Sequence, residues 1–345
     1  MTKTTTSAFI QSPPVPLTDS HGRTVDYLRV SLTDRCNLRC MYCWSADGMQ
    51  FIPHSNIITY EEIARLVNIS VGMGISKVRL TGGEPFARRN CMRLIEMLLT
   101  EHPQLDVRLT TNATLIQGKA KQLAELGVKY INISLDTFDR KKFQQITGRD
   151  FLRNVTRAID ECMEHGLHVK INTVALKGIN DDELPVFVNF ARNNPVDVRF
   201  IEFMPMGNSS AWSEENFWSA EDIMKQAREL ADLTKLERHE RHSGPAKLFQ
   251  VAGGKGRLGF ITPMSNHFCS TCNRLRITAS GGLRTCLFSD SEVNLRDMLR
   301  NECITDTDIA NVIREANTNK PLGVELLNAK KQTEVAHKRM NAIGG

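Results

Sequence analysis

Six short β-rich runs alternate with amphipathic helical periods between residues 25 and 202, and this alternation restricts the fold more than any other feature of the chain. Strands are expected over 27–32, 77–81, 106–111, 130–135, 168–174 and 197–202. Helices are expected near 61–71, 91–100, 117–126, 154–165 and 182–193. Thr59 stands where an N-cap belongs, and Glu62 three residues on completes a capping box. Gly127 and Gly166 follow two of the helices, where C-cap glycines are expected. Strands separated by helices pair in parallel through right-handed crossovers. Six units fall short of an eightfold barrel. The expectation is therefore an α/β fold built on a partial, open parallel β/α barrel of about six units, with a doubly wound sheet as the rival. In both, ligands bind beyond the carboxyl ends of the strands.

Polar residues recur at those ends: Asp34-Arg35-Cys36, Gly82-Gly83-Glu84, Thr111-Asn112, Ser134 with Asp136, Asn172-Thr173, and Glu202. After residue 207 the pattern changes to a helical stretch over 220–233, a glycine-rich region over 244–259, and strands over 258–262 and 275–278. The last 40 residues read as helical and then mobile, ending Gly344-Gly345. Three segments follow: a disordered N-terminal extension over 1–24, the barrel over 25–207, and a smaller α+β region over 208–345.

Charge narrows the function classes. The net charge of +5 is spread over both signs with no basic block, and aromatics make up 6% of the chain. A nucleic-acid arm, or a zinc-stabilised RNA-binding module with interleaved aromatics, is not indicated. No run approaches the 18 apolar residues of a membrane helix, and residues 1–20 lack the apolar core of a secretory signal. The nine cysteines are an odd number in clustered spacings, which favours metal binding in a reducing, cytoplasmic compartment over a disulfide framework.

Cys36, Cys40 and Cys43 place three thiols in eight residues directly after the first strand. A four-iron cluster ordinarily takes four cysteines, so three would leave one iron open to an exogenous ligand. Such an iron can chelate S-adenosylmethionine and pass an electron into its sulfonium. The alternative is a zinc site completed by a distant residue such as His54. In the Gly82-Gly83-Glu84-Pro85 segment the glycines permit close backbone approach, and Glu84 is expected to accept from the ammonium group of that ligand. A second triplet, Cys269, Cys272 and Cys286, offers another three-thiolate site, with a zinc site completed by His267 or Cys303 as its alternative. Arg274 and Arg276 follow it on one face of a strand, suited to an anionic ligand.

The triplet followed by Gly-Gly-Glu-Pro resembles the radical S-adenosylmethionine superfamily. With Lys77-Val-Arg-Leu-Thr-Gly-Gly-Glu-Pro85, Asn132-Ile-Ser-Leu-Asp136, Arg199-Phe-Ile-Glu-Phe-Met204, Cys269-x₂-Cys272-Asn-Arg-Leu-Arg276 and the double-glycine end, the chain is similar to the GTP 3′,8-cyclase family from about residue 25 onward. The resemblance implies a first [4Fe–4S] cluster on Cys36, Cys40 and Cys43, and a second on Cys269, Cys272 and Cys286 that touches the guanine base. It implies S-adenosylmethionine contacts at Tyr42, Gly83, Ser134 and Met204. It implies GTP contacts at Arg29, Arg79, Thr110, Lys170, Arg274, Leu275 and Arg276, with Arg199 nearby. It leaves the catalytic residue unassigned, apart from an arginine near the Gly-Gly tail. The implied reaction forms 3′,8-cyclo-7,8-dihydro-GTP, the first step of molybdenum cofactor synthesis. The implied partners are an electron donor such as flavodoxin or ferredoxin, a downstream cyclic pyranopterin monophosphate synthase and a second copy in a homodimer. A radical enzyme that modifies a peptide is the alternative. Ser45 and Ala113 depart from the family pattern, and Ala113 would resist a positive φ if its turn needs one.

Overall fold

The computed structural model describes residues 16–43, 51–206, 212–237, 244–329 and 340–344. The strands among them are β1 (Leu17–Thr18), β2 (Thr24–Val25), β3 (Tyr27–Ser31), β4 (Lys77–Thr81), β5 (Asp106–Thr111), β6 (Tyr130–Ser134), β7 (His168–Ala175), β8 (Asp197–Glu202), β9 (Leu233–Lys235), β10 (Lys247–Val251), β11 (Arg257–Ile261), β12 (Arg274–Ile277), β13 (Gly282–Arg284) and β14 (Val293–Asn294). From β3 to β8 each strand pairs in parallel with the next in chain order. These are the six units of the sequence pattern.

The C-terminal region does not build a sheet of its own. β12 pairs in parallel with β3, and β11 pairs in parallel with β8, so the last third of the chain extends both edges of the barrel sheet. Antiparallel strands finish each side, β13 and β14 beyond β12, and β10 and β9 beyond β11. The twelve-stranded sheet ends at β14 and β9 without closing.

Alternation within the strands decides what each face does. Leu28, Val30, Val78, Leu80, Val107, Leu109, Ile131, Ile133, Val169, Ile171, Val198 and Phe200 are buried in one core against the surrounding helices. The helices Cys91–Glu101 and Leu152–Glu164 supply Leu94, Leu98, Val155 and Ile159 to it. Thr59 and Glu62 form the expected capping box at the start of Tyr60–Gly72. Gly127 and Gly166 take the positive φ that ends a helix.

Three expectations change. Leu17–Thr18 and Thr24–Val25 pair as a hairpin, so 16–24 is not a disordered extension; buried Asp19 and Arg23 hold it. The helix Ala220–Leu230 stops short of 233, because Leu233–Lys235 pairs with β10. A helix at Arg140–Thr147, capped by Asp139 and Gly148, was not foreseen. Residues 1–15, Ser45, the boundary at Gly207, the stretch 330–339 read as mobile, and Gly345 lie outside the described residues.

Candidate active site

Many of the residues of β3 to β8 that do not enter the core line a cavity of about 330 Å³ together with residues of β11 and β12. Register aligns the cations. Arg276, Arg29, Arg79 and Arg108 are Cα partners across β12, β3, β4 and β5. Lys77, Lys170, Arg199 and Arg274 line the same cavity. Carboxylates answer two of these charges directly. Arg108 pairs with Asp106 at 2.6 Å and Arg199 with Asp197 at 3.0 Å. Burial pushes the Asp197 carboxyl up, but His168, Arg199 and Arg257 hold it well below the usual carboxylate range.

Aromatic faces also meet several of these cations. Lys77 Nζ lies 4.3 Å from the ring centroid of Tyr27. The Tyr130 ring carries Arg108 at 4.2 Å and Lys170 at 4.4 Å. A ring attracts a cation without neutralising it, so the cavity keeps its positive charge. Burial lowers Lys170 to about 6, and Arg199 and Arg108 add to the effect. Several guanidiniums gathered at a buried cavity suit an anion, and a bound anion would return to Lys170 the charge that burial takes from it. The buried side-chain oxygens of Asn132 and Asn172 find no partner among the described residues, which leaves two acceptors at the same cavity.

At the carboxyl ends of the strands, Cys36, Cys40 and Cys43 line the cavity. Their loop is pinned to the barrel by backbone bonds. Gly83 N donates to Thr33 O at 2.6 Å, Glu84 N to Arg35 O at 2.8 Å, and Arg39 N to Thr147 O at 2.8 Å. A Cβ added to Gly83 would stand 2.2 Å from Arg35 O, and one on Gly82 2.5 Å from Thr33 O. The close approach that these glycines allow is thus to the cysteine loop itself. Cys36 Sγ accepts from Leu38 N at 3.4 Å and Asn112 Nδ2 at 3.5 Å. Burial raises the Cys40 thiol, and Asp136, Cys43 and Cys36 raise it further, as expected where like charges gather.

Glu84 corrects the sequence reading. It is fully buried, and its carboxylate already accepts from Thr111 Oγ1 at 2.8 Å, Asn112 N at 2.7 Å and Phe86 N at 3.1 Å. Burial pushes it up to about 7. It ties the end of β4 to the end of β5 rather than reaching into the cavity. Tyr42, Gly83, Ser134 and Met204 do line the cavity, as do Arg29, Arg79, Thr110, Lys170, Arg199, Arg274 and Arg276. Tyr42 Oη donates to Asp136 Oδ2 at 2.5 Å, and burial raises Asp136 to about 6. Leu275 is the exception. It is 1% exposed and packs in the core, because alternation turns it away from its two arginine neighbours. Lys77, Arg108 and Tyr27 were missed, although spacing by two places them beside Arg79, Thr110 and Arg29.

A second, smaller cavity adjoins the first, and Arg274, Arg276 and Phe268 line both. Cys269, Cys272 and Cys286 surround it. Burial pushes the Cys272 thiol up, but Arg274, Lys320 and Arg276 outweigh that and bring it down to about 6, where it is a ready thiolate. A Cβ on Gly323 would meet Cys286 Sγ at 3.1 Å and Cys269 Sγ at 3.4 Å, so only a glycine leaves that space. Arg23 braces the site, donating to Cys269 O at 2.9 Å and Lys320 O at 2.6 Å. Lys320 Nζ donates to Arg274 O at 2.7 Å.

Both donor sets therefore suit an iron–sulfur cluster, whose thiolates sit on different irons. Among the described residues no three His, Cys, Asp or Glu side chains close on one metal ion. His54, His267 and Cys303, the alternative zinc ligands, line neither cavity. From the C-terminal side, Gly344 O accepts from Arg276 Nη1 at 2.6 Å, and Gly344 packs against Thr81 and Ser31 with φ +73°. Asn341 Nδ2 donates to Asp34 O at 2.9 Å.

Two family models match the chain: the radical SAM superfamily over residues 30–191 and Molybdenum Cofactor Synthesis C over 196–326. A GTP 3′,8-cyclase of Syntrophomonas wolfei is 44% identical over 329 residues, covering 95% of this chain and 99% of the relative. One from Thermodesulfovibrio yellowstonii is 43% identical over 309 residues, covering 89% and 95%. Among solved structures, Streptococcus suis SuiB bound to S-adenosylmethionine matches with a TM-score of 0.60 at 16% identity, covering 92% of this chain and 77% of that one. That likeness concerns the fold alone. No helix among the described residues is long and apolar enough to cross a membrane.

Proposed function

Since this chain belongs to the GTP 3′,8-cyclase family of radical S-adenosylmethionine enzymes, we infer that its cavity holds GTP with the triphosphate on the row Arg276, Arg29, Arg79 and Arg108. The enzyme converts GTP to 3′,8-cyclo-7,8-dihydro-GTP, the first step of molybdenum cofactor biosynthesis. The observation that carries the binding mode is this in-register row of four guanidiniums along one cavity, which suits a polyphosphate.

Cys36, Cys40 and Cys43 would hold the family's [4Fe–4S] cluster, with Tyr42, Gly83, Ser134 and Met204 around S-adenosylmethionine. Bound there, cluster and cosubstrate supply the electron and the radical that removes a hydrogen atom from the GTP ribose. Cys269, Cys272 and Cys286 would hold a second cluster beside the guanine base, a reading supported by the lowered Cys272 thiol and the space at Gly323. Lys77, Lys170 and Arg199 add charge along the phosphates, while Arg274 and Arg276 stand between the two cavities and orient the nucleotide. Asn132 and Asn172 offer acceptors to hydroxyl groups of the bound nucleosides. Gly344 on Arg276 brings the tail to the same place. The reading extends, on the family alone, to a cytoplasmic homodimer. It would draw electrons from a flavodoxin or ferredoxin and pass its product to cyclic pyranopterin monophosphate synthase.

The test is anaerobic incubation with GTP, S-adenosylmethionine and dithionite, followed by product analysis. Iron content near eight per chain is expected for two four-iron clusters. Cleavage of S-adenosylmethionine without consumption of GTP would refute the substrate assignment.

A further inference from the structure

We propose that Tyr27 is a substrate-coupled positioning residue: a phenolate that balances the cation row in the absence of nucleotide, and a neutral phenol that aims Arg79 and donates to a phosphate oxygen once GTP is bound. The inference rests on the reading of the cavity as the GTP site.

Tyr27 is buried at the start of β3 and lines the cavity. Arg79 Nε donates to its phenol oxygen at 2.5 Å, so any proton that oxygen carries is left to be donated elsewhere. The residue sits inside a frame of cations. Arg274 of β12 and Lys77 of β4 are its two Cα partners across the sheet, and Arg276 and Arg79 are the partners of Arg29 two residues on. The Lys77 ammonium lies over the ring. Asp26 acts on Lys77 and accepts from Asn273 Nδ2 at 2.6 Å. A phenol that accepts from one guanidinium and has four more cations around it is the group best placed to carry a compensating negative charge.

The electrostatics run the same way. Burial pushes the Tyr27 phenol up, but Arg79 and Arg29 outweigh it, with help from Lys77, and bring it down to about 7. At pH 8 the group is therefore mostly anionic without substrate. A bound polyphosphate cancels the pull of the arginines and leaves burial to favour the neutral form. Tyr27 then takes a proton from solvent as GTP binds. Above pH 7 that uptake weakens GTP binding as pH rises, and below pH 7 the group is already neutral and contributes no pH dependence.

The chain has four tyrosines, so ¹³Cζ-tyrosine labelling of the cluster-loaded, oxidised protein gives a countable spectrum. The signal absent from Tyr27→Phe identifies the residue. Should that variant not fold, Tyr42→Phe, Tyr60→Phe and Tyr130→Phe assign it by elimination. At pH 8 the Tyr27 signal is expected at the phenolate position without nucleotide and at the phenol position with saturating GTP. Tyr27→Phe should loosen GTP about tenfold at pH 7, the scale of one charge-assisted hydrogen bond. A Tyr27 signal that stands at the phenol position at pH 8 without GTP, or that does not move while calorimetry shows GTP bound, overturns the proposal. An absence of GTP binding by wild-type protein overturns the substrate reading and the Tyr27 role with it.

Discussion

Replacing Gly83 with alanine tests whether the Gly-Gly step holds the cysteine loop by direct contact. The new Cβ would lie 2.2 Å from Arg35 O, 2.5 Å from Arg35 C and 3.0 Å from Asp34 C, all backbone atoms with no rotamer to yield. Ordinary carbon contacts begin near 3.5 Å, so the loop or the end of β4 must give way by more than about 1 Å. Two backbone bonds span this contact, Gly83 N to Thr33 O and Glu84 N to Arg35 O. Their loss costs about 1 kcal/mol each, and overpacking adds about 1–3 kcal/mol. The total of about 3–5 kcal/mol is a large part of the 5–15 kcal/mol that holds a typical domain together. Cys36 directly follows Arg35, so the displacement also reaches the first cluster site. The assay is thermal unfolding of the reconstituted protein with iron content and reductive cleavage of S-adenosylmethionine. A large drop in melting temperature is expected, with cleavage reduced about 100-fold as for a misplacement of about 1 Å. Gly72→Ala, where the added Cβ meets nothing within 4 Å, should change neither. Gly83→Ala with wild-type melting and full cleavage would refute the reasoning.

Three further outcomes are expected. Cys40→Ser should abolish S-adenosylmethionine cleavage, while Cys272→Ser retains cleavage and loses GTP turnover; equal loss in both, with folding intact, would argue against separate roles. Arg274→Ala with Arg276→Ala should weaken GTP binding by at least about 2 kcal/mol by calorimetry, leaving S-adenosylmethionine affinity unchanged, whereas Leu275→Ala between them should cost about 2–4 kcal/mol of stability and leave GTP affinity intact. Ala113 sits at φ +60° with its methyl buried in the core, so in Ala113→Gly the relief of about 1 kcal/mol of left-handed strain and the loss of about 0.8 kcal/mol of methyl burial should nearly cancel and leave the melting temperature close to wild type; a clear rise or fall would show that one of the two dominates.

Strand bounds were the most legible feature of the sequence. β4, β5 and β8 fall on the expected residues because β-branched and aliphatic side chains alternate cleanly there with polar ones. The same alternation held the information that Lys77 accompanies Arg79 and that Leu275 opposes its neighbours. Attention to the carboxyl ends alone passed over the first and left the second among the ligand contacts. The helix Arg140–Thr147 was illegible for another reason: Phe143 and Ile146 are its only large apolar residues, and they are buried beneath the cysteine loop's anchor. The fate of the Glu84 carboxylate depends on three donors that the fold delivers from other positions, and no spacing in the sequence encodes that. The flanking of β3 by β12 and of β8 by β11 is likewise invisible to local pattern.

That flanking sets an order of events during synthesis. β3 emerges early with one edge bare, and its natural cover is β12; Asn273, just ahead of β12, donates to Asp26, 247 residues upstream. Until those later residues leave the ribosome, the nascent barrel carries an unpaired strand edge and lacks Arg274 and Arg276, two of the arginines that line its cavity. An exposed edge of this kind is a template for wrong pairing between chains. The span that matches the radical SAM model, residues 30–191, stops short of both β11 and β12. A fragment that keeps the whole of β3 but ends at the same point, residues 16–191, would therefore be prone to aggregate, and supplying residues 192–345 in trans should rescue solubility and substrate binding together.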